Sequence, residues 1–282
     1  MKYFSSLFYT LLILFISSFS CVSEDSSPTD INDPKNLISQ YPEGSIFGPE
    51  GPTKIVDVTN PITGNTWMDR NLGATEAAIS SNGESSFGYL YQWGRRSDGH
   101  QLRTSAISST LSSTRDTPPN SPFILAPKFP NDWKTPQFNG TQNSDVGLWQ
   151  GVNGKNNPCP KGYRLPTQAE WEAEIKSWKN KDASGAISSP IKLPAAGFRS
   201  GDPNFGFPTD GSITFRGFGL YWSSEEYKGA VPIPGGKTFL SSRLLLIGLS
   251  SATMIGEWYN PTLTSSSRGA RSIGASCRCI KD

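Results

Sequence analysis

Histidine is almost missing from this chain: His100 is its one imidazole in 282 residues. A metal centre built from a histidine cluster is therefore excluded, because it needs two or three such ligands. Cysteine is scarce too, with Cys21, Cys159, Cys277 and Cys279 and none between 159 and 277. Charged residues make up only 18%, with no basic block and no basic–aromatic array, so no nucleic-acid partner is expected. There is no internal repeat and no heptad. The many serines lack the G-x-S-x-G context of a nucleophile elbow. Long apolar runs are also lacking. The longest, Leu7 to Phe19, falls short of the roughly 20 residues that span a bilayer.

Behind Lys2, that run reads as the hydrophobic region of a secretory signal peptide covering residues 1–20. It ends at "SFSC", with Ser20 directly before Cys21 and Ser18 where leucine is usual. The pattern resembles the lipobox of bacterial lipoproteins, which implies diacylation of Cys21 and a lipid anchor in the outer membrane as the one membrane contact. The competing reading is plain secretion with cleavage nearby. Residues 21–44 carry five acids, one base and three prolines without apolar periodicity, which predicts a flexible tether. Its "SED" resembles the acidic export signal of surface lipoproteins in Bacteroidota and implies surface exposure, although a solvated linker reads the same.

Residues 45–282 form the remaining unit, long enough for one large domain. With 28 glycines and 22 prolines in the chain, turns should be frequent and strands short. "KIVDV" and "WMDRNL" around "NPITGNT" predict a strand pair. "ATEAAISSNG" (74–83) predicts a short helix closed by Asn82-Gly83, and "FGYLYQWGRR" an aromatic strand. Residues 97–149 are rich in Ser, Thr and Pro without periodicity, a length at which loops are often functional. "IKLPAAGFR", "GLYWSSEEY", "SSRLLLIGLSSATM" and "GASCRCIKD" are further strand-like runs. One or two helices among several short strands imply an α+β fold.

The sharpest local signal is "NNPCPKGYRLPTQAEWE", residues 156–172. Pro166 keeps the chain non-helical, and Thr167 with Glu170 forms a capping box. Trp171, Ile175 and Trp178 then fall at i, i+4 and i+7 on one inward face.

In order, "WMDRNLG", "YLYQWGRRSDGH", "NPCPKGYRLPTQAEWE", "LPAAGFR", "YWSS" and the terminal "CRCI" resemble the Fibrobacter succinogenes major paralogous domain, over roughly residues 45–282. "GYRLPTQAEWE" also resembles the signature of the formylglycine-generating enzymes, whose fold is C-type-lectin-like. The resemblance implies a single C-type-lectin-like domain with a small twisted antiparallel sheet and long loops, and it carries no activity with it. The family's terminal cysteine maps onto Cys279, which implies a Cys159–Cys279 disulfide; Cys277 remains the alternative partner, since spacing alone does not choose. Closing about 120 residues would stabilise by roughly 4 to 5 kcal/mol.

The resemblance also sets tests for catalysis. The redox cysteine pair of the formylglycine-generating enzymes has no counterpart, because Cys277 and Cys279 on one strand face stand about 7 Å apart. The three-histidine iron site of ergothioneine-forming relatives is excluded by the single His100. The Glu-Pro-Asn, Gln-Pro-Asp and Trp-Asn-Asp motifs of calcium-dependent lectins do not occur. Asp202 to Gly211 reads as a Gly/Asp turn before a calcium loop, and no metal or cofactor is expected. Asp98, His100 and Arg103 make a candidate polar cluster, with a structural hydrogen-bond network as the competing reading. Trp133, Trp149 and Trp258 lie in loops as candidate ligand-stacking residues, or as pins that hold loops to the body. Glu225 and Glu226 should point to opposite faces. The function expected is a non-catalytic surface lipoprotein that binds a glycan or a surface protein; the alternatives are a structural envelope lipoprotein and, further off, an enzyme.

Overall fold

A computed structural model describes residues 30–114, 120–127, 132–135, 147–201, 208, 210–214, 217–229, 239–255 and 271–282. Along the chain run α1 (Pro34–Leu37), β1 (Asp57–Thr59), β2 (Thr66–Met68), β3 (Tyr91–Gln92), β4 (Ile107–Ser108), β5 (Phe123–Ile124) and β6 (Tyr163–Arg164). There follow α2 (Gln168–Ser177), α3 (Ala183–Ser188), β7 (Phe198–Arg199), β8 (Ile213–Thr214), β9 (Gly219–Gly229), β10 (Phe239–Ile247), β11 (Ala252–Ile255), β12 (Gly274–Ala275) and β13 (Ile280–Lys281). The fold is α+β, mostly strands with a few short helices.

The last twelve residues organise it. β12 lies inside a sheet of order β3-β12-β7-β8, and β13 inside one of order β1-β2-β13-β6. Between them, Ser276 exchanges backbone bonds with β9: Trp222 N–H donates to Ser276 O (3.0 Å) and Ser276 N–H to Leu220 O (2.8 Å). The C-terminal segment thus joins three sheets, the third running β11-β10-β9. Residues 271–280 are all buried.

Two apolar clusters fill the interior. One gathers Trp93, Trp149, Trp222 and the three cysteines of the body. The other gathers Trp67, Trp171 and Trp178 with β9, β10 and β13. α2 enters through the expected capping box: Glu170 N–H donates to Thr167 Oγ1 (3.2 Å), and Thr167 N–H to Glu170 Oε2 (2.7 Å). Arg164 adds a fork onto the same carboxylate at 2.8 and 2.9 Å. Trp171 and Trp178 are buried and Ile175 packs half-buried beside them. The inward face also carries Glu174, fully buried, accepting from Asn60 Nδ2 (2.8 Å) and Trp178 Nε1 (2.9 Å). Asn60 belongs to the β1–β2 turn, so a buried carboxylate fastens hairpin to helix.

Several expectations need correction. Residues 74–83 form turns, not a helix, and a 3-10 turn follows at Glu84–Ser86. Their backbone groups are used across the fold: Thr75 N–H donates to Ser85 O, and Ser81 O accepts from Ala195 N–H. The strand expected over "FGYLYQWGRR" is only Tyr91–Gln92, because Gly88 and Gly94 adopt φ of +68° and +80° on either side. The tether does not extend to residue 44. Asp33 caps α1 with Pro34 in its first turn, while Leu37 and Tyr41 are buried in the core. Asn32 pairs with the Ile55 backbone at 2.7 and 2.9 Å, so packing onto the body has already begun by Asn32. α3 was not foreseen; Asp182 caps it by accepting from Ser184 N–H and Gly185 N–H.

Candidate functional site

Cys159 and Cys279 form a disulfide with Cα atoms 5.9 Å apart. Cys277 is free and buried, and burial pushes its thiol well above the ordinary range. Arg278, between the two cysteines in sequence, is fully buried. Its guanidinium donates to Asn71 Oδ1 (3.1 Å), Met68 O (3.2 Å) and Ile191 O, and burial lowers its pKa to about 10. Sequence reasoning passed over this buried cation, because a charge at a chain terminus ordinarily reads as exposed.

The polar cluster is built differently from the expectation. His100 Nδ1 lies 2.6 Å from Asp98 Oδ1, and Nε2 accepts from Gln92 N–H at 2.9 Å. The second bond fixes the tautomer with the proton on Nδ1. Both ring nitrogens are consumed, and burial, with Arg95 nearby, lowers the His100 pKa to about 4. Burial pushes the Asp98 carboxyl up, but His100 and Arg95 more than offset this and hold it below its usual range. The partner is Arg95 rather than Arg103. Arg95 grips Asp98 at 3.0 and 3.1 Å and donates to Gln92 Oε1 (2.6 Å) and Pro122 O (3.0 Å). Arg103 instead reaches Gly88 O (2.6 Å) and Ala196 O (2.8 Å). The i, i+3 spacing of Arg95 and Asp98 was the available signal. The arrangement fastens β3 to β5 and to the C-terminal segment, since Gln92 Nε2 also donates to Ile124 O (2.8 Å) and Ser272 O (2.7 Å).

Two of the three loop tryptophans cannot present a face to a ligand. Trp133 is 1% exposed; its indole donates to Trp93 O (2.8 Å) and its ring lies 5.4 Å from the Arg95 guanidinium. Trp149 is fully buried against Trp93 and Trp222, its indole N–H shared between Arg95 O and Asn156 O. Both hold loops to the body. Trp258, Cys21, residues 1–20 and most of Asp202 to Gly211 lie outside the described residues.

The register between β9 and β10 shifts at Ser242/Leu244, beside the adjacent acids Glu225 and Glu226, which take different partners. Glu225 accepts from Gln168 N–H at the start of α2 (2.5 Å), where a negative charge is favoured. Glu226 accepts from Arg271 Nη2 (2.7 Å), and Asp132 lies 3.6 Å from the same guanidinium. Arg271 also sits 4.6 Å above the Trp93 ring. Among the described residues, no group of three or more His, Cys, Asp or Glu side chains is placed to hold a metal. No helix there is long and apolar enough to cross a membrane.

A surface cleft of about 860 Å³ opens beside the disulfide, within the roughly 300–1,000 Å³ of small-ligand sites. One wall is the chain from Ile38 to Ser45 with Phe47; the other is Val152 to Lys155 with Asn157 and Cys159 to Lys161. Lys161 N–H donates to Gln40 O (2.7 Å), joining the walls. The second wall turns tightly at Gly154, where an added Cβ would meet the Leu148 and Trp149 backbone at 2.9 to 3.1 Å. Asn157 braces this wall, accepting from Cys159 N–H (3.2 Å) and donating to Tyr163 O (2.9 Å). Glu43, Lys155 and Lys161 are exposed at the cleft. Sequence reading missed this site because its first wall fell in the segment expected to be tether. No protein-family model, curated protein or solved structure matches the chain.

Proposed function

We propose that this chain is a non-catalytic cell-envelope lipoprotein with a C-type-lectin-like body of the Fibrobacter succinogenes major paralogous domain type. Its role is to bind a glycan or a surface protein while Cys21 anchors it to the outer membrane. The observation that carries the binding reading is the cleft beside Cys159, whose walls are fixed by a backbone bond and a disulfide. The non-catalytic part is supported by the occupation of the reactive groups: both nitrogens of His100 are bonded, two cysteines are paired, and Cys277 is buried.

The test is to fill the cleft. Asn153→Trp places a bulky side chain on an exposed wall residue without disturbing the core. The variant is expected to lose binding to immobilised polysaccharides or envelope proteins that retain the parent chain, at unchanged thermal stability. The burial of Trp133 and Trp149 supports a second reading, a structural envelope protein whose loops are pinned for rigidity. That reading predicts that filling the cleft changes no interaction.

A further inference from the structure

We infer that the side of the body carrying Ile79 and Leu249 rests against a lipid surface, with both side chains entering the apolar layer; this rests on the reading of Cys21 as a lipid anchor. The two are the most exposed large apolar side chains among the described residues, at 88% and 75%. Singly, such a residue is ordinary, but these two flank one apolar depression. It holds about 230 Å³ over Phe87, Ala183 and Ala195, with Leu249 on one rim and Ser81, two residues beyond Ile79, on the other. Both rims are pinned: Ala195 N–H donates to Ser81 O (2.8 Å) and Ala183 N–H to Gly248 O (2.9 Å). Gly217 leaves room for Leu249, since an added Cβ would stand 3.2 Å from its Cδ2. No charged residue occurs from Ala77 to Gly83 or from Gly248 to Ile255, so contact through these two loop tips buries no ion. Glu84, exposed at the depression, disfavours anionic headgroups, so the attraction is apolar.

The chain between anchor and body selects lipid as the occupant. Among the described residues, packing onto the body begins at Asn32, eleven residues after Cys21. Fully extended, those residues reach at most about 40 Å, while a body of about 250 residues is roughly 45 Å across. The face opposite the exit therefore cannot touch the membrane, and faces near the exit are held close to it. The patch is near the exit. Asn32 and Pro34 share a cavity of about 430 Å³ with Gly73, Ala74 and Thr75. The loop that presents Ile79 starts at Thr75, whose N–H donates to Ser85 O (3.0 Å), and Glu84 brings the end of that loop to the depression. The anchor thus raises the effective concentration of lipid at this side, and nothing in the chain does the same for a free protein partner.

The experiment couples nitrobenzoxadiazole, a probe that emits further to the blue in apolar surroundings, to Ile79→Cys, Leu249→Cys or Ile62→Cys in the lipidated full chain on phosphatidylcholine vesicles. Cys277 is buried and Cys159 is paired with Cys279, so the introduced thiol is the one that couples. Ile62, 73% exposed in the β1–β2 turn, stands for an exposed aliphatic position elsewhere. The expected result is a blue shift on vesicles at 79 and 249, quenched by doxyl-labelled acyl chains, with no shift at 62. Unshifted emission at 79 and 249 on vesicles that carry the chain would overturn the placement and leave the anchor standing. A chain that does not float with the vesicles overturns both. Equal shifts at all three positions would overturn the placement too, because no side is then selected. A blue shift that needs no vesicles and grows with the concentration of released Cys21→Ala chain would assign the patch to a second copy of the chain instead.

Discussion

Cys159 and Cys279 meet with their Cα atoms 5.9 Å apart across 120 residues of sequence, and the bond does two structural jobs. It ties the cleft wall to β13, the strand that lies between β2 and β6. It also closes nearly the whole second half of the chain into a loop. On the chain-entropy treatment, Cys159→Ser with Cys279→Ser should destabilise by roughly 4 to 5 kcal/mol. Chemical denaturation with and without reductant measures this. A loss below about 1 kcal/mol would mean that the unfolded chain is already restricted.

Cys277 should behave as a buried methyl-sized filler, not as a spare partner. Thiol labelling of the folded chain is expected to leave it untouched, and denaturation should expose it. Cys277→Val should retain the Cys159–Cys279 bond with a stability change within about 1.5 kcal/mol. Rapid labelling under native conditions would contradict its burial.

Substitution of the loop tryptophans should act on stability first. Trp133→Ala and Trp149→Ala each empty a site that is at most 1% exposed and orphan a backbone acceptor, so each is expected to cost about 3 to 5 kcal/mol. Thermal melts of the two variants test this. A variant that kept full stability but lost a ligand would restore the stacking role.

These residues show what the sequence could and could not convey. The capping box at Thr167 and Glu170, the β1–β2 pair and the strands near 219–255 were legible because each depends on neighbours in sequence. The cysteine partner came with the family resemblance, not from spacing. Trp133 and Trp149 were ambiguous because a tryptophan in a loop looks the same whether its indole meets water or the Trp93 carbonyl. Glu174 and Arg278 went unnoticed because a buried charge is identified by distant partners, such as Asn60 and Ile191, whereas Arg95 did carry a local signal in Asp98 three residues on. The cleft was invisible for the same reason: its two walls are more than 100 residues apart in sequence.

Acid should weaken the fold through His100. Its pKa is ordinarily near 6.5 and is lowered to about 4 in the folded chain. In that window the unfolded chain takes up a proton and the folded chain does not. Stability is therefore fully present above about pH 6.5, falls as pH drops, and is lost through this group by about pH 4, a total of roughly 3 kcal/mol. Denaturant midpoints between about pH 6.5 and 5, above the main carboxylate range, isolate the effect. His100→Gln should be less stable throughout but flatter across that interval. An equal slope in the variant would place the proton uptake elsewhere.

The anchor can be tested apart from the body. If Cys21 is diacylated, cells fed labelled palmitate should produce a labelled chain that partitions into detergent, and Cys21→Ala should abolish both properties. Among the described residues, packing onto the body begins with Asn32 and Leu37, more than ten positions after Cys21. A released Cys21→Ala chain should therefore keep the melting temperature of the parent and the cleft's binding, which makes anchoring and recognition separable. Loss of binding together with the label would instead tie recognition to the membrane surface. Retention of the label would show that residue 21 is not the acceptor.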